Sequence, residues 1–495
     1  MKLIRNNEKI FQKIKGKYMG KFRRIKTKIV ATLGPASSKY ETILNMAKAG
    51  ATVFRLNSSH GTPEEHKKRI DLIREAAREL NMYLAILVDL QGPKIRVGAI
   101  TNPIPIKEGQ ILCLKHGSDC SNADVIPVDY AGIANDVKEG DKILLDDGKI
   151  GLKVIEVKND VVKTEVLYGE ILKPRKGINI PGTQASLPCV TDRDKEYIKF
   201  AVQNDADFLA LSFVRDANDI KMAKAYMKTL GADIPIIAKI EKPQAVENLK
   251  SIIKESYGVM VARGDLGIEM SPEQVPIAQK EIIKEASNQR KTCIVATQML
   301  ESMIEEPIPT RAEASDVANA ILDGADAVML SGETAAGKYP VQAVKMMNQI
   351  SDSIETSRFC PEYLDLEVTD EYEITPQAIA NAAAKMAHDL HAKAIFAFTH
   401  TGYTPRLLSK IRPQIPIVAL SDQSKTCRKL NLSWNLCPFF CDWDTTLDET
   451  MLKKIDALIL EKTDFKKDER IIIIGSIPQL ITGRTNFIRV HRIGA

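Results

Sequence analysis

The sequence predicts an α/β protein built on a closed (β/α)₈ barrel of the TIM type, with a small β-rich domain inserted in it and an open α/β domain after it. Three observations lead to this fold. Eight short apolar runs alternate with helix-period segments between residues 28 and 331, one connection near 98–188 is far longer than the others, and new strands begin after 358. At 495 residues the chain exceeds one ordinary hydrophobic core, so several domains are expected.

The eight runs are the predicted barrel strands. They are rich in β-branched residues and apolar along their length, which is typical of a parallel sheet covered on both faces. A helical stripe such as Ile70, Ile73 and Leu80 follows most of them. Eight such units favour a closed barrel, and a doubly wound open sheet is the alternative. The runs are KIVATL (28–33), TVFRLN (52–57), LAILVDL (84–90), FLALSF (208–213), PIIAKI (235–240), GVMVAR (258–263), TCIVAT (292–297) and AVMLS (327–331).

The long connection predicts an inserted all-β lid domain that resembles a small barrel. Its turn sequences KEGQ, KEGD, DDGKIG and KNDV place Gly, Asn and Asp where hairpins need a positive φ. Because the insertion follows the third barrel strand, the domain is expected at the mouth of the barrel, where it could close over a site.

The segment after 358 predicts a separate open α/β domain. Its strands AIFAFT (394–399), PIVALS (416–421) and IIIIGS (471–476) alternate with helices. The expected organisation is a basic tail at 1–25, the barrel at 26–97 and 189–357, the lid at 98–188 and the C-terminal domain at 358–495.

Composition and charge argue against several classes of protein. The formal net charge of +5 is small for this length and the charges are interspersed, so nucleic acid is not expected as the main partner. Eight scattered cysteines without a C-x-x-C pair argue against a disulfide framework or a zinc site and fit a reducing, cytoplasmic compartment. No apolar run approaches the roughly 20 residues of a membrane span.

The first 28 residues are unusually basic. They hold eleven Lys or Arg residues and one Glu, without the apolar core of a secretory signal. A solvated tail, an organelle-targeting segment and a contact with an anionic surface are all compatible with this composition. A nucleic-acid-binding role for the protein would rest on these residues alone.

Polar and charged side chains gather where the predicted barrel strands end. In a (β/α)₈ barrel the active site is built at the carboxyl ends of the strands. A structural ion pair explains any one of these charges, but so many at one face of the barrel predict a functional site. From the second strand to the eighth they are Arg55, Asn57, Ser59, His60, Asp89, Lys94, Arg96, Ser212, Lys239, Glu241, Arg263, Asp265, Thr297, Ser331 and Glu333.

The stretch KIE at the end of the fifth strand is the most specific of these signals. Side chains alternate along a strand, so Lys239 and Glu241 lie on one face. Glu241 and Asp265, from the next strand, supply the two carboxylates of a Mg²⁺ site. The metal and Lys239 would both neutralise an enolate oxygen, and the fork of Arg55 suits phosphoryl oxygens. The pattern predicts phosphoryl transfer by positioning and charge.

A second chemistry starts from the same lysine. A Lys at a barrel strand end can form a Schiff base with pyruvate, as in a lyase or aldolase, and a metal-dependent lyase is the related alternative. Glu241, aimed at a metal together with Asp265, favours an ammonium beside a chelated enolate instead.

The stretch SGETAAGKYP (331–340) contains GETAAGK, which has the spacing of a phosphate-binding P-loop. The next residue of a P-loop is Ser or Thr, whose hydroxyl holds Mg²⁺, but here it is Tyr339. We therefore interpret the spacing as coincidental.

The chain resembles the pyruvate kinase family from about Lys26 to the C-terminus. The matching stretches are KTKIVATLGPAS, FRLNSSHG, DLQGPKIRVG, IIAKIEKPQAVENL, GVMVARGDLGIE, VATQMLESM and VMLSGETAAGKYP. The resemblance implies the same barrel and lid, a C-terminal regulatory domain and a homotetramer. It also implies a glycolytic phosphoryl transfer from phosphoenolpyruvate to ADP, giving pyruvate and ATP, with Mg²⁺ or Mn²⁺ as cofactor.

The resemblance further implies roles for individual residues. Lys239 would stabilise the enolate, Arg55 would span phosphates, and SGETAAGKYP would be the loop after the eighth strand. Mg²⁺ would be held by Glu241 and Asp265. Further substrate-binding or catalytic positions are Ser212, Gly264, Thr297, Ser331 and Glu333. The nucleotide-side positions are Asn57, Ser58, Ser59, His60, Arg96 and Arg193, the last of which is more often Lys in the family.

One departure from the family concerns K⁺. Most familiar members read DTKGPEIR after the third strand and need K⁺, whereas this chain reads DLQGPKIR, with Lys94 in place of the Glu. The side chains of the monovalent site, Asn57, Ser59 and Asp89, are present. This resembles the branch that works without K⁺, so K⁺ is not expected to be required, and the ammonium of Lys94 would replace its charge.

The C-terminal domain contains FTHTGYT (398–404), a Gly-containing turn before a helix. Hydroxyls and backbone N–H groups in such a turn form a plausible phosphate site. The resemblance implies that this loop binds a phosphorylated allosteric effector, and an ordinary strand-to-helix turn is the alternative. The candidates are Thr399, Thr401, Gly402 and Thr404, with GRTN (483–486) as the opposite wall.

Overall fold

The structure, a computed structural model, describes residues 26–117, 125–182, 187–360, 374–441, 449–476 and 485–495. The predicted basic tail at 1–25 lies outside the described residues, and so do Gly483 and Arg484 of the GRTN stretch. Within the described part of the chain, no helix has both the length and the apolar character to cross a bilayer.

The secondary structure is numbered along the chain. The strands are β1 (Lys28–Leu33), β2 (Ala51–Asn57), β3 (Ala85–Asp89), β4 (Ile95–Arg96), β5 (Ile104–Pro105), β6 (Ile111–His116), β7 (Val125–Val128), β8 (Lys142–Leu145), β9 (Ile150–Lys158), β10 (Val161–Tyr168), β11 (Ile171–Leu172), β12 (Gly177–Asn179), β13 (Phe208–Leu211), β14 (Ile236–Ile240), β15 (Gly258–Ala262), β16 (Thr292–Ala296), β17 (Ala327–Leu330), β18 (Ile395–Phe398), β19 (Ile417–Ser421), β20 (Leu436–Phe440), β21 (Arg470–Gly475) and β22 (Phe487–Arg492). The helices are α1 (Tyr40–Ala49), α2 (Pro63–Leu80), α3 (Ile133–Asp136), α4 (Asp192–Gln203), α5 (Ala217–Thr229), α6 (Pro243–Glu247), α7 (Leu249–Glu255), α8 (Arg263–Glu269), α9 (Val275–Asn288), α10 (Arg311–Asp323), α11 (Gly332–Ala335), α12 (Pro340–Glu355), α13 (Ile374–Asp389), α14 (Tyr403–Ile411), α15 (Ser424–Leu430) and α16 (Glu449–Lys462).

The predicted barrel is confirmed. Its strands form a closed barrel in the order β1-β17-β16-β15-β14-β13-β3-β2, so neighbours along the chain are neighbours in the sheet. The last strand pairs parallel with the first, with Lys28 opposite Ala327 and Ala31 opposite Leu330. A doubly wound sheet has free edges and no such pairing, so that alternative is wrong.

The excursion between β3 and β13 forms the β-rich domain. Its seven-stranded sheet has the order β4-β12-β8-β9-β10-β6-β7, and β11 pairs with β5 in a separate ribbon. Strand β10 shows the two-residue period of a sheet with one covered face, since Val162, Thr164 and Val166 are buried and their neighbours are more exposed. The burial of Leu112, Leu114 and Leu152 against this face gives the domain a core of its own.

The C-terminal domain is the open α/β sheet that the sequence predicts. Strands β18, β19, β20 and β21 are parallel, and β22 returns antiparallel to β21. Helices on both faces cover apolar side chains such as Ile395 and Phe396. The edge strands β20 and β22 are additional to the three strands expected from the sequence.

The chain divides into two compact units. The first, which we name the Lys239 unit, holds Arg55–His66 and Leu87–Gln298. The second, named the Lys410 unit, holds the residues up to Phe54 together with Lys67–Ile86 and Met299–Ala495. The β-rich domain belongs to the Lys239 unit and the C-terminal sheet to the Lys410 unit.

Within the Lys410 unit, the C-terminal sheet is tied to the start and end of the barrel by buried polar contacts. Lys28 Nζ, on β1, donates to the carbonyl of Leu436 (2.8 Å). Lys410 Nζ, in the last turn of α14, contacts Asp326 Oδ2 at 2.5 Å, just before β17. Both side chains of this second pair are almost fully buried.

Candidate active site

A buried network of charges joins the ends of three barrel strands in the Lys239 unit. Lys239 Nζ lies 2.8 Å from Glu241 Oε1 and 3.4 Å from Asp89 Oδ1. Arg55 Nε donates to the second oxygen of Asp89 (2.6 Å). All four residues are at least nine-tenths buried. Four charges predicted separately at strand ends are therefore one interacting cluster.

The cluster holds Lys239 in its charged form. Burial opposes an ammonium, but the carboxylates of Asp89 and Glu241 outweigh it, so the pKa of Lys239 is raised. For Asp89, burial favours the neutral acid, but Lys239 and Arg55 together hold its pKa below the usual value. The ammonium therefore stays protonated at neutral pH, which suits stabilisation of a developing anion.

Hydrogen bonds fix the direction of the Lys239 ammonium. Its Nζ donates to Ser212 Oγ (2.7 Å), and that hydroxyl donates to the carbonyl of Leu90 (2.8 Å). The backbone N–H of Phe213 donates to Glu241 Oε2 (2.6 Å). Phe213 has a φ of 54°, a left-handed conformation that aims this N–H at the carboxylate. Sequence reasoning named Ser212 but missed Phe213, because a backbone conformation leaves no signal in residue type.

Glu241 and Asp265 form the candidate metal pair. Burial raises the pKa of Glu241, Lys239 opposes that shift, and the Asp265 carboxylate adds to it, so the two acids interact. A divalent cation would relieve this repulsion, and two carboxylates are a usual protein contribution to a Mg²⁺ site. Among the described residues, no group of three or more His, Cys, Asp or Glu side chains has a metal-binding arrangement. Glu241 and Asp265 supply two interacting carboxylates, the number that Mg²⁺ often takes from a protein, so this pair is the metal candidate.

Thr297 sits in a strained backbone conformation at the end of β16. Its φ is 69°, a left-handed value that a β-branched residue rarely adopts and that costs about 1–3 kcal/mol. Its Oγ1 accepts from the N–H of Gly264 (2.7 Å), and Arg263 Nη2 donates to its carbonyl (2.7 Å). Strain held by surrounding hydrogen bonds is typical of functional sites, so the position of Thr297 supports its candidacy.

The loop after β2 carries the nucleotide-side candidates. The N–H of Ser59 donates to Asn57 Oδ1 (3.1 Å), and the N–H of Ser58 donates to the carbonyl of Asp89 (2.9 Å). Ser58 is fully buried, and its Oγ has no hydrogen-bond partner among the residues that the structure describes. Asn57 ends β2, Asp89 ends β3, and Ser59 lies in the loop after β2. The bond from the Ser58 N–H to the Asp89 carbonyl joins this loop to β3, so the three side chains predicted for the monovalent site belong to connected segments.

Cations surround the exposed imidazole of His60. Partial burial lowers the pKa of His60, and the nearby positive charges lower it further. These charges are Arg96, Arg55, Lys94 and Arg193. The positive potential that these groups create at His60 favours an anion there, such as a polyphosphate.

Lys94 reaches toward acidic groups on two sides. Its Nζ lies 3.5 Å from Asp265 Oδ1 and 4.0 Å from Asp147 Oδ1, in the turn between β8 and β9. Arg96 on β4 is fixed through its N–H, which donates to Asp129 Oδ1 (2.6 Å). The ammonium of Lys94 thus lies beside the candidate metal carboxylate Asp265.

Ser331 and Glu333 follow β17 in the Lys410 unit. Glu333 accepts from the N–H of Ser331 (2.7 Å) and from the N–H of Leu300 (3.1 Å), so its carboxylate braces the turn. Burial raises the pKa of Glu333. Ser331 Oγ is buried, and no hydrogen-bond partner for it occurs in the described part of the chain.

Two family models match the chain: the pyruvate kinase barrel domain over residues 24–344 and the pyruvate kinase alpha/beta domain over residues 377–491. This chain belongs to the pyruvate kinase family. A pyruvate kinase of Thermotoga maritima is 41% identical over 473 residues, which span 94% of this chain and 99% of that relative. A pyruvate kinase of Geobacillus stearothermophilus is 42% identical over 94% of this chain and 80% of the relative.

The fold supports the same assignment. A crystal structure of a pyruvate kinase from Cryptosporidium parvum matches with a TM-score of 0.87 at 34% identity, covering 95% of this chain and 96% of that one. As a member of the pyruvate kinase family the protein is a phosphotransferase.

The GETAAGK stretch does not have the geometry of a P-loop in this pyruvate kinase fold. Gly332–Ala335 form a short helix, and Lys338 points to Glu305, with Nζ 2.5 Å from Oε2. Both side chains of this pair are about two-thirds exposed. A P-loop lysine binds phosphate oxygens, so the pairing with Glu305 agrees with a coincidental spacing.

The candidate effector loop of the pyruvate kinase C-terminal domain is a tight turn. Gly402, with a φ of 86°, precedes α14, and its N–H donates to Thr399 Oγ1 (2.8 Å). Thr404 Oγ1 lies 2.6 Å from Thr485 Oγ1, so the described part of the GRTN stretch meets this loop. Thr401 is exposed.

Proposed function

We propose that this protein is a pyruvate kinase that transfers a phosphoryl group from phosphoenolpyruvate to ADP, giving pyruvate and ATP, with Mg²⁺ as cofactor. The observation that carries the proposal is the Lys239 ammonium, held charged between Asp89 and Glu241 beside the Asp265 carboxylate. Loss of the phosphoryl group from phosphoenolpyruvate leaves an enolate, and a fixed cation is the group that such a product needs.

Each residue of the cluster has a part in this proposal. Lys239 offers its protons to the enolate oxygen, and Ser212 sets its direction. Arg55, fixed at Nε by Asp89, directs the remainder of its guanidinium at the phosphoryl oxygens. Mg²⁺, held by Glu241 and Asp265, would neutralise charge on the substrate oxygens. Thr297 and the backbone at Gly264 would contact the substrate. Ser331 and Glu333 are proposed as further catalytic positions.

The nucleotide phosphates are assigned to the cationic loop after β2. Its binding residues would be Asn57, Ser58, Ser59, His60, Arg96 and Arg193. A polyphosphate placed there has four positive charges around it, so binding is expected to weaken as salt rises.

We also propose that turnover does not require K⁺. Lys94 already places an ammonium 3.5 Å from Asp265, and its family position is the one that differs between the two branches. In this proposal the positive charge of Lys94 replaces that of a monovalent cation bound near Asn57, Ser59 and Asp89.

The lyase alternative needs a different protonation state. A Schiff-base lysine attacks as the neutral amine and is found with a lowered pKa, whereas the pKa of Lys239 is raised. Borohydride reduction in the presence of pyruvate separates the two readings, since only a Schiff base leaves a reduced adduct on Lys239.

The deciding experiment follows pyruvate formation from phosphoenolpyruvate, ADP and Mg²⁺ while KCl replaces tetramethylammonium chloride at constant ionic strength. High activity that is flat in K⁺ is the expected result. Activity that rises steeply with K⁺ keeps the kinase and rejects the role of Lys94. No activity in either salt, with or without phosphorylated sugars as effectors, rejects the proposed reaction.

Three finer features extend the proposal. The domain at 98–188 would act as the lid, and Thr399, Thr401, Gly402 and Thr404 would bind a phosphorylated effector. A cytoplasmic homotetramer would be the working form. Light scattering on the purified chain, with and without effector, measures the assembly, and a monomer at assay concentration would contradict it.

A further inference from the structure

The backbone carbonyls of the loop after β2 are held by side chains from two helices of the Lys239 unit. Arg193 Nη2 donates to the carbonyl of Ser58 (2.9 Å). His66 Nε2 donates to the carbonyl of His60 (2.9 Å), and the hydroxyl of Tyr197 donates to the carbonyl of Gly61 (3.4 Å). Three of the four carbonyls from Ser58 to Gly61 are thus bound by three different side chains. We name Arg193, Tyr197 and His66 the loop clamp.

The members of the loop clamp also contact one another. His66 and Tyr197 meet edge to face, with ring centroids 5.9 Å apart, and the guanidinium of Arg193 lies 5.9 Å from the centre of the Tyr197 ring. Phe200 completes the packing at 6.0 Å from Tyr197. His66 and Tyr197 are 1% and 4% exposed, so their conformations are restricted by packing. A clamp built this way is rigid before any ligand arrives.

The first turn of α4 fixes a second loop at the same time. Its capping residue Thr191 accepts from the N–H of Asp194 (3.1 Å), and one oxygen of Asp194 accepts in return from Thr191 (3.0 Å). The other oxygen accepts from the N–H of Gly92 (3.1 Å), two residues before Lys94. Neighbouring residues of one helix, Arg193 and Asp194, therefore hold the loop after β2 and the segment that leads from Gly92 to Lys94.

A histidine that reached into the ligand would be exposed, and His66 is not. Its ring is buried, whereas His60 is exposed and Ser59 is half-buried. If the loop were released from these bonds, an anion that binds to it would bind more weakly, because the ligand would then have to order the backbone as it binds.

We propose that His66 and Tyr197 are positioning residues for the nucleotide: they hold the loop after β2 in the conformation that receives the phosphates of a nucleoside diphosphate. This inference rests on the proposed function, which assigns the nucleotide to that loop. The chemistry recognised is the polyphosphate, so the effect falls on ADP and not on phosphoenolpyruvate.

The test compares His66→Leu with His66→Gln in the full chain. Loss of one buried hydrogen bond is expected to raise KM for ADP about five- to tenfold in the leucine variant, with KM for phosphoenolpyruvate within about twofold of wild type. The glutamine variant can place an amide donor where Nε2 stood, so it is expected to recover most of the loss. Tyr197→Phe keeps the ring and removes the hydroxyl with its long bond to Gly61 and its interaction with Arg193, so a rise of about twofold is expected.

His491 is the matched control because it is also a buried histidine, paired with Asp456 in the C-terminal domain (2.7 Å). His491→Leu is expected to lower the melting temperature without changing KM for ADP. Equal changes in both KM values for His66→Leu, or a KM for ADP that stays at the wild-type value, would overturn the inference. A glutamine variant no better than leucine would also overturn it.

Calorimetric titration of ADP into wild type and His66→Leu separates this inference from the reaction itself. If wild type binds ADP and the variant binds it several-fold more weakly while neither forms pyruvate, the loop clamp stands and the proposed reaction fails. If wild type forms pyruvate and both proteins bind ADP equally, the proposed function stands and the loop clamp fails.

Discussion

Lys239 and Lys410 are both buried lysines at the ends of regular elements, and each contacts a buried carboxylate. Lys410 contacts Asp326 Oδ2 at 2.5 Å and is 4% exposed, while Lys239 contacts Glu241 and Asp89 and keeps 9% exposure. Lys239 also has a hydroxyl partner, Ser212, which is itself anchored to the Leu90 carbonyl. Burial and ion pairing alone thus do not mark a catalytic lysine. Lys239 is distinguished by two features: two carboxylates lie beside its ammonium, and its side chain stays slightly exposed at the end of a barrel strand.

The largest effect is expected at Lys239. Lys239→Met removes the cation for the enolate, and turnover is expected to fall about a thousandfold. A loss of stability comparable to that of other broken buried ion pairs, about 3–5 kcal/mol, is also expected, although Asp89 keeps Arg55 and Glu241 keeps the Phe213 N–H. Steady-state kinetics and thermal unfolding measure the two effects. A folded variant within tenfold of wild-type turnover would contradict the assignment.

The next effect concerns the metal pair. Glu241→Gln removes one of the two candidate carboxylates, so the Mg²⁺ concentration for half-maximal activity is expected to rise about 100-fold. Glu247→Gln is the matched control, since Glu247 is exposed beyond the same strand. Equal Mg²⁺ dependence in the two variants would remove Glu241 from the metal site.

A smaller effect is expected at Lys94. Lys94→Glu reverses the charge beside Asp265, and activity without K⁺ is expected to fall about tenfold, which corresponds to about 1.4 kcal/mol. Lys250→Glu, on the exposed face of α7, controls for the change in net charge. The same K⁺-free activity in both variants would show that Lys94 does not replace the ion.

The smallest effect on turnover is expected at Lys410. Lys410→Met deprives the buried Asp326 carboxylate of its ammonium, so unfolding should become easier by about 3–5 kcal/mol while the folded protein keeps its turnover. Replacing both partners, as in Lys410→Met with Asp326→Leu, should recover much of that stability. Denaturant unfolding and activity per folded molecule provide the measurement. If the turnover of Lys410→Met falls as far as that of Lys239→Met, the two lysines do not differ in function as stated.

The barrel could be predicted from the sequence because its apolar strands and the apolar stripes of its helices repeat with clear periods. The edge strands β20 and β22 escaped prediction for a physical reason. LCPFF contains Pro438, which cannot donate to a ladder, and FIRVHR carries charges at several of its positions, so neither has the pattern of a covered strand. Edges of a sheet tolerate such residues because one side lacks a neighbour.

The candidate site, too, could be predicted only in part. Strand ends predict which charges meet, and Arg55, Asp89, Lys239 and Glu241 do meet. The sequence could not give the left-handed turn at Phe213. It also could not give the bond between Gly92 and Asp194, which are far apart in the chain. Such contacts depend on how loops pack after the barrel has formed.

The pairing of β1 with β17 has a consequence for how the chain is made. The first barrel strand, fully buried and mostly apolar, finds its β17 neighbour only after Leu330 has been synthesised, and the Leu436 carbonyl that accepts from Lys28 follows later still. At about 5–20 residues per second, synthesis of the intervening chain takes on the order of 15–60 s. Throughout that interval the backbone N–H and C=O groups on one edge of KIVATL lack the strand that they pair with in the native barrel. The nascent chain is therefore a natural client for chaperones that shield extended apolar segments on the ribosome.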